Sequence, residues 1–242
     1  MTIRILSSRL AYLCCVLLLA LYSLQAIASV VIGGTRVIYP EKEPEVTVKL
    51  TNVGQSAVLV QSWLDDGSVD NKPDNIQVPF SLTPPVNRID ASKSQTLRIS
   101  YTGTDLPKDR ESVFWLNVLE IPQLNKATAT PNRLQVAFRS RIKLFFRPQA
   151  LTGDTTEAAS ALVFSMQDNH VVVKNPRAYY VSLLSVTIGG GAQKAGVAGK
   201  LIPPFGSISL QFNYPALSHS GANVEYEYIN DWGATTKLKS TL

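Results

Sequence analysis

Alternation of apolar and polar side chains at every second position runs through most of residues 29–242, and that period decides the fold class. Val46, Val48 and Leu50 alternate with Glu45, Thr47 and Lys49; Leu97, Ile99 and Tyr101 alternate with Arg98 and Ser100. A period of two puts one set of side chains on each face of a strand, whereas a helix would need spacings of three and four. No long amphipathic helical pattern is present. From Val113 to Ile121 nearly every position is apolar, as expected of a central strand covered on both faces. Gly54-Gln55, Asp65-Asp66-Gly67, Thr83-Pro84-Pro85 and Gly103-Thr104 punctuate the runs as turns. Short strands at this spacing predict an all-β sandwich.

The first 28 residues follow another logic. Arg4 and Arg9 precede an apolar stretch from Leu10 to Leu24, and Ala26-Ile27-Ala28 supplies a small-x-small cleavage site. The apolar run is shorter than the ~20 residues of a membrane span, so residues 1–28 read as a secretory signal peptide. Its removal from the 242-residue chain leaves 214 residues and takes away both cysteines, Cys14 and Cys15. The mature chain therefore has neither disulfide nor thiolate ligand and must be held by packing alone. Its net charge falls from +5 to +3 with Arg4 and Arg9 gone, too little to argue for nucleic acid.

After the run Leu134–Phe146 and Arg147-Pro148, residues 149–159 are polar, small and poor in pattern. A domain boundary is expected there, with domains at 29–150 and 151–242. Strand signals resume at Ala161–Met166, Val171–Lys174, Tyr179–Ile188, Ser207–Phe212, Val224–Ile229 and Thr235–Leu238. Gly189-Gly190-Gly191 reads as a hairpin tip rather than a phosphate cradle, because no Gly-Lys-Ser/Thr follows. Two immunoglobulin-like sandwiches in series fit this layout, with Trp63 a candidate core tryptophan. Catalytic chemistry has no seat: His170 lies at a turn and His219 in a Ser/Gly loop, neither with partners at metal-ligand spacing. No enzyme activity, cofactor or metal is expected.

Leu134, Val136 and Phe138 alternate with Gln135, Ala137 and Arg139, and Ile142, Leu144 and Phe146 continue their phase. At about 3.3 Å per residue these side chains form a row of knobs roughly 6.6 Å apart. The residues alone allow an ordinary core strand or a strand offered to a partner. Lys143 falls in the opposite phase within an apolar run. It either reaches solvent or meets an anion in a cleft. Arg36 poses the same choice near the mature N-terminus.

Five ordered segments resemble the periplasmic pilus chaperone family, the PapD- and FimC-like proteins. They are Thr35-Arg36-Val37-Ile38-Tyr39, Thr83-Pro84-Pro85-Val86-Asn87-Arg88, the run Leu106 to Pro122, Arg141-Ile142-Lys143-Leu144-Phe145-Phe146-Arg147-Pro148, and Tyr228-Ile229-Asn230-Asp231-Trp232-Gly233. Gln123 is a small departure, standing where the family usually has Pro, Ala or Ser, and the second half matches less well, with Ala178 in place of the usual proline. The resemblance implies two immunoglobulin-like domains in an L-shaped arrangement, acting in the periplasm. It assigns Leu134, Val136 and Phe138 to a donor strand that completes a pilin subunit. Arg36 and Lys143 become the anchor for the subunit's C-terminal carboxylate. Glu111, Arg147 and Asp231 become an interdomain salt-bridge network. Implied partners are pilin subunits and an outer-membrane usher, with self-association of the free chaperone left open. The short connection before Leu134 resembles the short-loop branch of the family. Rival readings are a secreted pilin or adhesin, which one incomplete domain and a cysteine pair would favour, and an exported β-sandwich enzyme.

Overall fold

The computed structural model describes residues 29–68, 76–103, 105–123, 136–167, 170–190, 193–212 and 221–242. The expected signal segment, Leu134, the connection before it and His219 lie outside the described residues. The first sandwich contains β1 (Val30–Ile32), β2 (Arg36–Pro40), β3 (Val46–Asn52), β4 (Val58–Asp65), β5 (Phe80–Thr83), β6 (Val86–Ile89), β7 (Ser94–Tyr101), β8 (Ser112–Pro122) and β9 (Phe138–Arg147). One sheet has the order β1-β3-β7-β5 and the other β2-β9-β8-β4-β6. The alternating side chains meet between them: Val48, Leu50, Leu97 and Ile99 from one sheet pack against Val60, Leu116, Leu144 and Phe146 from the other.

The chain's first strand is split between the two sheets. β1 pairs antiparallel with β3, and β2 pairs in parallel with β9. Gly33, at the crossing, donates its N–H to the Lys49 carbonyl at 2.8 Å. A Cβ on Gly33 would sit 3.1 Å from that oxygen, so any larger residue at the crossing would push Lys49 back by a few tenths of an ångström. The split limits β2 to the last part of β9. β8 pairs with β9 from Phe138 to Phe146, but β2 covers only Lys143 to Arg147. Among the described residues, Phe138–Ile142 therefore has no strand on its outer side.

The second sandwich opens with helix α1 (Thr155–Ser160), whose N-cap Asp154 accepts the Glu157 N–H at 2.8 Å. Part of the segment read as linker is thus helical. Its Ala158 and Ala159 are buried in the second core, and a helix of 6 residues is too short to leave a periodic pattern. There follow β10 (Val163–Gln167), β11 (His170–Lys174), β12 (Val181–Gly190), β13 (Gln193–Ala198), β14 (Leu201–Ile202), β15 (Ser207–Gln211), β16 (Asn223–Ile229) and β17 (Thr235–Thr241). Their sheets run β10-β11-β15 and β13-β12-β16-β17, with β14 also on β12.

Trp63 departs from expectation. On β4 it is Val60, Ser62 and Leu64 that are buried, and Trp63 falls in the opposite phase on the outer face of the sheet. The Arg139 guanidinium lies 5.4 Å from its ring centroid. The inner positions of this sandwich are filled by aliphatic side chains and by Tyr39, Phe80, Phe114 and Phe146 instead.

Candidate functional site

On β9, successive residues divide between two faces. Ile142, Leu144 and Phe146 point into the first core. Arg139, Arg141, Lys143, Phe145 and Arg147 line the outer face. β8 supplies the neighbouring row, with Asn117 opposite Arg141 and Trp115 opposite Lys143. β4 supplies Trp63 and Asp65 beyond them.

This outer face is a polar network laid over aromatic rings. Asp65 is 1% exposed. It is ion-paired with Arg141, and its other oxygen accepts from Asn117 Nδ2 at 2.7 Å. Asn117 Oδ1 accepts in turn from Arg139 Nε at 3.0 Å. Trp115 lies beneath two cations, with Arg141 4.3 Å and Lys143 Nζ 4.9 Å from its ring centroid. Sequence reasoning missed Asp65, which read as a turn residue. It does accept the Gly67 N–H at 2.8 Å, so the turn signal hid a buried carboxylate.

Arg36 and Lys143 are direct partners in the parallel β2·β9 register. Arg36 reaches the second domain, donating through Nη1 to the Ile229 carbonyl at 2.9 Å and to Ser182 Oγ at 3.3 Å. Its Nε is buried without a hydrogen-bond partner. Among the described residues Lys143 has no carboxylate partner, because Asp65 is committed to Arg141 and Asn117. Burial, opposed by the Asp231 and Glu111 charges, pulls Arg36 below its ordinary value. Burial first, and the Arg36 charge second, pull Lys143 down. Two neighbouring cations are thus held partly desolvated side by side, an arrangement whose repulsion an added negative charge would relieve. Beside them, a crevice of about 190 Å³ is lined by Gly33, Gly34, Arg36 and Ile142, where β9 loses its β2 partner.

The structure also brings Glu111, Arg147 and Asp231 together. Arg147 donates to Glu111 Oε1 at 2.8 Å and holds both Asp231 oxygens at 2.8 and 3.1 Å. Glu111, 2% exposed, accepts the Tyr180 N–H at 2.8 Å from the second domain. Burial raises the Glu111 carboxyl against these favourable contacts. Burial also opposes the Arg147 charge, but the Asp231 and Glu111 contacts outweigh it and hold Arg147 above its ordinary value. Phe145 completes the seam. It belongs to neither core, and its ring lies 5.8 Å from that of Tyr180.

Of the expected donor residues, Val136 is 48% and Phe138 62% exposed. Phe138 shares the phase of Ile142 and Leu144 yet lies beyond the end of the core. Phe138–Ile142 is thus an open strand edge, with exposed apolar residues at its beginning and the cationic pair at its end.

Family models for the N- and C-terminal domains of the PapD pili-assembly chaperones match residues 29–152 and 157–240. The chain is 45% identical over 223 residues to the chaperone protein FimB/FhaD of Bordetella pertussis, covering 89% of this chain and 88% of that one. It is 44% identical over 228 residues to the probable fimbrial chaperone YadV of Escherichia coli, covering 91% and 93%. The crystal structure of YadV superposes with a TM-score of 0.77 at 41% identity, covering 88% of this chain and all of that one. The SafB chaperone, solved in complex with the Salmonella enterica SafA pilin, gives 0.75 at 31% identity, covering 89% and 97%. The chain belongs to the PapD-like family of pilus-assembly chaperones, which are not enzymes.

Proposed function

We propose that this chaperone binds pilin subunits by donating the β9 edge to them and passes them to an outer-membrane usher from the periplasm, where its leader, residues 1–28, would send it. The observation that carries the reading is the open edge at Phe138–Ile142, which leads directly to Arg36 and Lys143. An unpaired edge is a template for strand addition from another chain. Leu134, Val136 and Phe138 would fill the subunit's groove, each contributing about 1.5–3 kcal/mol when fully buried. The same edge is open to a second copy of the chain before a subunit arrives.

Arg36 and Lys143 would hold the subunit's terminal carboxylate. A hydrogen bond between charged groups is worth about 1.5–3 kcal/mol, so the anchor contributes less than the strand in total. It matters for register, because a slip of one residue turns every apolar knob to the wrong face. Glu111, Arg147 and Asp231 would fix the angle between the domains 29–150 and 151–242 and so keep Arg36 aligned with the second domain. The pilin complex of the SafB relative supports the choice of partner. The test is Lys143→Ala: the purified variant should keep wild-type stability and fail to co-purify with its pilin. Capture at wild-type yield would end the carboxylate reading.

A further inference from the structure

Trp232 is the most exposed large apolar side chain among the described residues, at 87%, yet the turn carrying it is held firmly. Asn230 Oδ1 accepts from the Trp232 and Ala234 N–H groups at 3.1 and 3.0 Å. Gly233 donates its N–H to the Asn230 carbonyl at 3.0 Å. On one side of Trp232, Asp231 is bound to Arg147 of the first domain. On the other, Gly233 has a φ of 82° and lies so close to Thr35 that a Cβ would overlap its hydroxyl. The Ile229 carbonyl accepts from Arg36. Residues 229–233 therefore lie against the first domain at Thr35 and Arg36, and the indole between these attachments is left in solvent.

The other two tryptophans each lie beneath an arginine, Trp63 under Arg139 and Trp115 under Arg141. Among the described residues, no cation covers Trp232. A large aromatic on a fixed backbone loses little conformational freedom on binding, and tryptophan is enriched among residues that dominate interfaces.

We infer that Trp232 is a subunit contact supplied by the second domain, packing against an apolar side chain at the C-terminal end of the docked pilin. This rests on the reading of Arg36 and Lys143 as the seat of the pilin's carboxylate. The subunit is then gripped from both domains: the first supplies strand and cations, the second the indole.

The chain has three tryptophans, so the full-length chaperone labelled with fluorotryptophan should give three fluorine resonances, with that of Trp232 identified by its loss in Trp232→Phe. Adding the pilin should shift this resonance. In competition with wild type for one subunit, Trp232→Ala should bind about thirtyfold more weakly, a loss of hot-spot size, and Trp232→Phe should recover most of it. A loss below tenfold for Trp232→Ala, with Lys143→Ala still defective, overturns the indole contact and leaves the carboxylate reading standing. If Lys143→Ala also binds normally, both fall. A Trp232 resonance unmoved by pilin in the wild-type protein refutes the contact, whether or not Trp232→Ala folds.

Discussion

Replacing Phe138 by alanine isolates the contribution of one donor side chain. Phe138 is 62% exposed in the free chaperone, so its removal leaves the first core nearly intact and the melting temperature unchanged. Fully burying a phenylalanine is worth roughly 1.5–3 kcal/mol. Covering only the exposed part on subunit docking therefore supplies about 1–2 kcal/mol, a roughly fivefold to thirtyfold change in affinity. Equal amounts of wild type and isotopically labelled Phe138→Ala, offered to limiting subunit and allowed to equilibrate, would give this factor as the ratio of complexes by mass spectrometry. Val163→Ala, which removes an exposed apolar side chain from the second domain, should leave the ratio at one. If Phe138→Ala also gives equal complexes, Phe138 does not enter the subunit and the assignment of this edge fails.

Lys143 should make capture sensitive to alkali. Its lowered value means the ammonium loses its proton at a pH below the ordinary 10.5. Binding should be full below that lowered value and weaken as pH rises through it; Lys143→Arg, which stays charged, should abolish the weakening in a pH series of subunit binding. Trp115→Leu removes the ring under Lys143 and Arg141. It should loosen the anchor and weaken subunit capture in the same competition, with Trp115→Phe restoring it. Asp65→Ala strands Arg141 and Asn117 around an empty buried site and should cost about 3 kcal/mol in denaturant unfolding, the low end for breaking a buried ion pair. Asp231→Asn weakens one side of the Arg147 bridge and should broaden the interdomain angle; scattering identical to wild type contradicts that.

The strands were legible where side chains alternate sharply. β3, β7, β11 and β16 follow their apolar residues closely, because one face of each meets a core. β13 was not legible: its Ala195, Gly196 and Ala198 carry too little apolar contrast for a period of two to register. Trp63 was misplaced because indole size suggests a core, and nothing local to the sequence says which face of β4 turns inward. The pairing of Arg36 with Lys143 was legible only through family resemblance, since the two lie far apart in sequence and meet only because β2 crosses to the second sheet. Ser182 and the Ile229 carbonyl left no signal. A serine on a strand and a backbone oxygen gain meaning only when the second domain brings them to Arg36.

Amide hydrogen exchange along β9, with and without bound subunit, tests the donated edge most directly. Amides in Phe138–Ile142 left unpaired on the outer side should exchange fast in the free protein and become protected in the complex, while β17 is unchanged. Protection that appears on another edge, with Phe138–Ile142 as exposed as before, would contradict it.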